Sequence, residues 1–485
     1  MDNRQKVVSN LIWRFLERFG SQFVSMVVQI ILARMLEPEV FGTVAKVTLI
    51  TTILLVFVDS GMANSLIQKK DPDDLDYSSV FYFNIVFCLF LYALLFAFAP
   101  LIAKFYKDAQ LTAIVRVLGL TVVVAGVKNV QQAYVSKTLQ FKRFFFATLG
   151  GTLLSAALGI TMVYRGFGVW ALVAQQLSNV TVNTAILWLT VGWRPKKMFS
   201  FARLKGLLGY GWKLLASGLL DTVYNKLREI IIAVKYTDAD LAFYNRGNYI
   251  PNILVENINS SIDSVLLPVL SSQQDDSASV REMTRRAIKV STYVMMPLMM
   301  GLAVCAEPFV RLLLTDKWLP CVPYLRIFCF SYAFYPLHTA NLNAIKAMGR
   351  SDLFLKLEII KKAVGVAVLL FTMRYGVYVM ALSLLFTSVL AQIINSAPNK
   401  KLLDYSYLAQ LKDMLPAIAL SLLMGACVYP LRLLPWGDLP VLIVQVFVGA
   451  AVYIVSSLLL KLDTFYYILS IARKLLHRSG KEAHD

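Results

Sequence analysis

Two long apolar segments between Val8 and Gln68, joined by the short break Leu36-Glu37-Pro38-Glu39-Val40-Phe41-Gly42, introduce the pattern that the rest of the chain repeats. In the first segment Arg14, Arg18, Ser21, Ser25 and Gln29 recur at three- or four-residue spacing and therefore share one helical face. An ionisable side chain inside a membrane helix is costly, so this face predicts a partner or a water-filled cavity beside it. The break reads as a helix restart. Pro38 suits a first turn, where its missing N–H costs nothing, and Glu39 is favourable to the helix dipole there.

Apolar runs near the roughly 20 residues that cross a bilayer predict an all-α polytopic membrane protein of about fourteen transmembrane helices. They start near Val8, Val40, Ser78, Gln110, Phe144, Gly168, Leu204, Asp240, Val280, Val322, Leu353, Gly376, Leu408 and Leu439. Shifted against itself by about 210 positions, the chain aligns Arg116-Val117-Leu118 with Arg326-Ile327-Phe328, Phe144 with Phe354, and Gly166 with Gly376. Near the start, a shift of about 201 pairs Glu39-Val40 with Asp240-Leu241. Each repeat holds an even number of helices, which predicts two parallel pseudosymmetric six-helix bundles, a transporter's architecture that a channel can share. The expected divisions are an N-terminal bundle over 1–192, a cytoplasmic linker over 193–205, a second bundle over 206–400, a helix pair over 401–462, and a basic tail over 463–485.

Composition supports this class, with 58% hydrophobic and 16% charged residues. The net charge of +19 is dispersed over many short loops, which argues against nucleic acid as a partner. With a cytoplasmic N-terminus, loops on that side collect about 27 Lys and Arg against about nine outside, so both termini are expected in the cytoplasm. Arg14, Glu17 and Arg18 interrupt what a cleavable signal would need as its apolar core, so the first helix is expected to stay. The five cysteines lie apart and suggest neither a disulfide framework nor a metal site. Ser279-Val280-Arg281-Glu282 has the spacing of a capping box, with Asp275-Asp276 before it reading as solvated surface.

Candidate chemistry concentrates on a few helices. The seventh carries Ser217, Asp221, Tyr224 or Asn225, and Arg228 on one face, and the eighth continues with Asn245, Asn248, Asn252, Glu256, Asn259 and Asp263. Pro251 is expected to bend this eighth helix. The Asn and Ser residues can simply join neighbouring helices by hydrogen bonds. The cations Arg14, Arg18, Lys46, Arg228 and Arg246 point instead to a hydrated cavity, with Lys46 near the repeat equivalent of Arg246, although Arg14 can also snorkel. Asp59, Asp221, Glu256 and Asp263 are candidate ion-coupling carboxylates, Glu17, Glu229 and Glu358 are further intramembrane acids, and some of these serve as partners of Arg18, Arg228 or Lys361. His338, His477 and His484 are isolated, no nucleotide cradle is present, and the reading is a non-enzyme without cofactor.

Leu32-Ala33-Arg34-Met35-Leu36-Glu37-Pro38-Glu39-Val40-Phe41-Gly42 resembles the LAR-L-GPEEFG signature of bacterial Wzx-type polysaccharide-transport flippases, with Glu37 replacing the usual glycine. Asp59-Ser60-Gly61 followed by Leu66-Ile67-Gln68 resembles the end of their second helix. The resemblance implies the multidrug, oligosaccharidyl-lipid and polysaccharide exporter fold in the bacterial cytoplasmic (inner) membrane. It also implies translocation of an undecaprenyl-diphosphate-linked glycan to the outer leaflet, with a polysaccharide polymerase and chain-length machinery as partners. On this reading Arg18, Lys46 and Arg246 meet the diphosphate, Arg14 and Arg228 line the approach, and Asn248, Asn252 and Asn259 meet sugar hydroxyls. The competing expectation is an ion-coupled multidrug-type exporter, for which the cavity would be acidic.

Overall fold

Residues 3–59 and 62–481 are described by a computed structural model, with residues 3–12, 14–18, 210, 472 and 474–481 described by their backbone alone. The contacts divide the chain into two units, Met1–Ala242 and Phe243–Asp485. In the first, α1 (Asn3–Met35), α2 (Pro38–Asp59), α3 (Met62–Gln68) and α4 (Asp74–Tyr106) lead into α5 (Leu111–Lys137), α6 (Phe141–Tyr164), α7 (Val169–Thr190) and α8 (Phe201–Lys235). Helix α9 (Asp238–Ser271) begins in the first unit and runs into the second. There follow α10 (Ser277–Val304), α11 (Ala306–Leu314), α12 (Val322–Ala333), α13 (Tyr335–Ala347), α14 (Ser351–Thr372), α15 (Val377–Leu402), α16 (Tyr407–Val428), α17 (Asp438–Leu459) and α18 (Asp463–Lys481). From Val40 onward, every expected start lies within about four residues of an observed one, the margin pattern reading allows.

Among the described residues nine helices are long and apolar enough to cross a membrane, so the chain is a multi-pass membrane protein. Their outward faces carry Phe96, Phe98, Phe105, Phe386 and Phe447 exposed, an apolar surface that water would not tolerate and lipid does.

In the first unit α6 packs on α1 and α7, and α5 on α2, α4 and α7. One core cluster joins Leu32, Leu36, Val44 and Val47 to Leu111, Ile114 and Leu118. A second joins Leu66, Tyr77, Phe81 and Val130 to Trp193 and Leu204, so the basic segment after α7 is held on this unit. Trp193 Nε1 donates to Asp74 at 3.2 Å, and the backbone N–H groups of Lys196 and Ser200 donate to Ser78 and Ser79. Asp73 caps α4 by accepting the Asp76 N–H at 2.9 Å, the main cause that lowers its carboxyl below the ordinary range.

In the second unit α10 packs on α12, α13 and α16, and α14 packs on α15. The expected capping box at Ser279 is corrected. Helix α10 begins earlier, at Ser277, because Asp276 accepts the N–H groups of Ala278 and Ser279 at 3.0 and 3.1 Å. Asp276 is therefore a cap rather than idle solvated surface. Pro336 lies in the first turn of α13, where its missing N–H and its ring prevent the bond back to the Tyr332 carbonyl, so the helix is interrupted at Phe334 between α12 and α13.

Candidate functional site

Helices α2 and α9 open in the same way, each after a two-residue break that follows a long helix. For α9, Thr237 and Asp240 cap one another. The Thr237 N–H donates to Asp240 Oδ2 at 3.2 Å, and the Asp240 N–H donates to Thr237 Oγ1 at 3.1 Å. Gly42 lets the two openings meet, since a Cβ there would overlap the Asp238 carbonyl. Thr43 Oγ1 donates to Asp238 Oδ2 at 2.8 Å, and Lys46, only 6% exposed, is ion-paired with the same carboxylate. The Lys46 ammonium also lies 5.3 Å from the Tyr106 ring centroid.

Arg246 occupies the ninth position of α9, as Lys46 does of α2, counting from Asp238 and Pro38. It is 8% exposed, with its guanidinium 4.8 Å from the centroid of the buried Trp318 ring and 5.8 Å from that of Tyr249. Gly247 permits this seat, because a Cβ would collide with Tyr324 and the Leu325 N–H on α12. Both expected cations are thus buried on equivalent turns, each held by groups that pattern reading missed, Asp238 and Trp318. The side chains of Arg14, Glu17 and Arg18 lie outside the described ones. Arg228 is half-buried on α8, and Asp221 is exposed there.

The polar stripe of α9 divides. Tyr332 donates to Asn248 at 2.7 Å, Thr339 to Asn259 at 3.3 Å, and Asn343 to Asp263 at 2.8 Å, so these three meet the α12–α13 segment. Asn252 donates instead to Glu256 of its own helix at 2.8 Å, leaving Glu256 exposed. The buried Nδ2 of Asn259 has no partner among the described residues. Pro251 and Pro268 both lie within α9. His338, near this segment, is bonded to Asn395 at 3.0 Å.

Asp59 ends α2 beside a separate cavity of about 320 Å³ in the first unit. Asn129 Nδ2 donates to Asp59 at 3.2 Å and to the Val58 carbonyl at 3.1 Å, while its Oδ1 accepts from Asn84 at 3.1 Å. Lys128, Gln132 and Ser136 line the same cavity from α5. Sequence reasoning missed this lysine, although its neighbours Asn129, Gln131 and Gln132 were the visible signal of a polar face.

A family model described as polysaccharide biosynthesis protein matches residues 31–323. The chain is 22% identical over 348 residues to the succinoglycan biosynthesis transport protein ExoT of Rhizobium meliloti (strain 1021), covering 72% of this chain and 70% of ExoT. It is 23% identical over 367 residues to the lipopolysaccharide biosynthesis protein WzxC of Escherichia coli (strain K12), covering 74% of each. Among solved structures, the lipid II flippase MurJ in an inward closed conformation matches with a TM-score of 0.74 at 14% identity, over 93% of this chain and 99% of MurJ. The fold is therefore of the MurJ type, and by its match over more than half its length the chain belongs to the polysaccharide biosynthesis protein family.

Proposed function

We propose that the protein is a flippase that moves undecaprenyl-diphosphate-linked oligosaccharide from the inner to the outer leaflet of the bacterial cytoplasmic membrane by alternating access. The observation that carries this reading is the pair of buried cations, Lys46 and Arg246, on equivalent turns of α2 and α9. A diphosphate cannot enter hydrocarbon uncompensated, since even one isolated buried anion costs tens of kcal/mol in idealised estimates. Arg246 suits it through paired hydrogen bonds, and Lys46 through point charge. We assign Arg18 to the same site, Arg14 and Arg228 to its approach, and Asn248, Asn252 and Asn259 to sugar hydroxyls.

In this reading the chain crosses the membrane about fourteen times, with α2–α3, α10–α11 and α12–α13 each forming one interrupted crossing. The first six and second six crossings form parallel repeats over 1–192 and 206–400, with 193–205 as cytoplasmic linker, 401–462 as a further pair and both termini cytoplasmic. A polymerase and chain-length machinery would consume the delivered glycan. Asp59, Asp221, Glu256 and Asp263 are the carboxylates available for ion coupling.

Reconstitution tests the reading. Purified protein in vesicles carrying a fluorescent undecaprenyl-diphosphate-linked glycan should expose the sugar on the opposite leaflet faster than protein-free vesicles. Equal rates, with efflux of a cationic dye instead, would replace the flippase by the multidrug-type exporter.

A further inference from the structure

The cavity at Asp59 contains chemistry that the cation site leaves unused. It is lined by Asp59 at the end of α2, by Ala63 and Ile67 of α3, and by Thr121, Lys128, Asn129, Gln132 and Ser136 of α5. Lys128 is half-buried, and neither it nor the side chains of Gln132 and Ser136 have a hydrogen bond or ion pair among the described residues. Among the described residues one Asp59 oxygen accepts from a neighbour, Asn129 at 3.2 Å, and the carboxylate and the Lys128 ammonium are not in direct ion-pair contact. The two charges still attract one another across the cavity, and an ammonium within a membrane helix that makes no direct ion-pair contact is completed by water or a ligand.

The volume and donor set narrow the ligand. A space of about 320 Å³ lies at the lower end of ordinary small-molecule pockets and admits one or two sugar rings, not a whole glycan. An ammonium and an amide donate, a free carboxylate oxygen accepts, and a hydroxyl does both, which is the complement of a polyhydroxylated ring. The depth is also informative. Lys128 stands nine residues before the end of α5, about 13 Å of helix rise. At that end Lys137 donates to the Ile67 carbonyl at 2.9 Å and fixes the end of α3 over the cavity. In the orientation proposed above, this is the cytoplasmic side.

We infer that the Asp59–Lys128 cavity is a loading subsite that binds one or two pyranose units of the glycan by hydroxyl hydrogen bonding before translocation. The inference rests on the flippase reading and concerns a place apart from the proposed diphosphate cations.

The test uses full-length protein with Ser136→Cys in a Cys427→Ser background, because Cys427 is the exposed native thiol among the described cysteines. The probe is the free oligosaccharide released by mild acid from the lipid-linked intermediates of the polysaccharide-producing host, with inorganic pyrophosphate as control. Alkylation of Cys at 136 should slow several-fold with the oligosaccharide and stay unchanged with pyrophosphate. Equal alkylation with and without oligosaccharide, in protein that still flips the lipid-linked form, overturns the subsite and leaves the flippase reading standing. Protection in protein that flips nothing does the reverse. Apolar replacements add a second readout: Asp59→Leu and Lys128→Met should abolish the oligosaccharide protection and lower transport about tenfold at normal membrane abundance. Complete loss of transport in Asp59→Asn with oligosaccharide protection retained would reassign Asp59 to ion coupling and overturn the proposal.

Discussion

Lys46 of α2 and Asp238, the first residue of α9, are ion-paired across two helix openings that Gly42 allows to touch. The pair lies where both side chains are mostly buried, so removing one partner leaves the other charge without compensation. Asp238→Asn should destabilise the protein by about 3–5 kcal/mol. Thermal unfolding in detergent measures this, and adding Lys46→Met should recover much of the loss. A double variant no more stable than Asp238→Asn would show that the carboxylate acts through Thr43 rather than through Lys46.

The closeness of the same openings gives a steric prediction. A methyl group at position 42 would have to occupy the Asp238 carbonyl, so Gly42→Ala should lower the thermal midpoint and reduce transport strongly. Gly206→Ala adds its methyl group to open space and should leave both unchanged.

Much of this architecture was legible because membrane helices must satisfy their own backbone hydrogen bonds and cover themselves with apolar side chains. The break at Leu36-Glu37-Pro38 announced α2 through proline and acid chemistry alone. Lys46 and Arg246 stood out because a charge among apolar residues is rare. Their partners did not, since Asp238 read as one more residue of a polar break, and Trp318 lies 72 positions beyond Arg246. Asn248, Asn259 and Asp263 showed their helical spacing but not that Tyr332, Thr339 and Asn343 would answer them. Such pairings depend on how helices dock, which periodicity within one helix does not encode.

A buried amide network in the second unit should be intolerant of apolar replacement. Asn341 Nδ2 donates to Gln410 at 2.8 Å and to Ser396 at 3.1 Å, while its Oδ1 accepts from Gln410 at 3.0 Å and from Asn399. Asn341→Leu leaves several of these fully buried groups without their partners. Its expected cost is about 1–3 kcal/mol for each group stranded, read as thermal stability. Asn252→Leu, whose partner Glu256 is exposed, should cost far less.

The excess of Lys and Arg on one set of loops orients the chain. In a cysteine-free background, Lys69→Cys, Lys142→Cys and Lys197→Cys should stay unlabelled by an impermeant thiol reagent in intact cells. Asp108→Cys and Asp316→Cys should react. The opposite pattern would invert the topology and move the Asp59 cavity to the outer face.

The proposed diphosphate site makes charge the discriminating variable. Arg246 rests on the Trp318 ring, so a lysine there keeps both the charge and the cation–π contact but loses the guanidinium fork. Arg246→Lys should therefore retain part of the flipping rate, whereas Arg246→Gln should lose it by about two orders of magnitude, the effect expected when a buried charge contact worth about 3 kcal/mol is lost. Arg18→Gln should behave alike, and Arg18→Lys should keep part of the rate. Membrane abundance and thermal stability are measured in parallel to separate transport from folding. A folded Arg18→Gln, Arg246→Gln double variant that flips lipid-linked glycan at the normal rate would remove these cations from substrate contact. Arg246 would then be a cation held for packing between α9 and the segment before α12, with the Trp318 and Tyr249 rings among its partners.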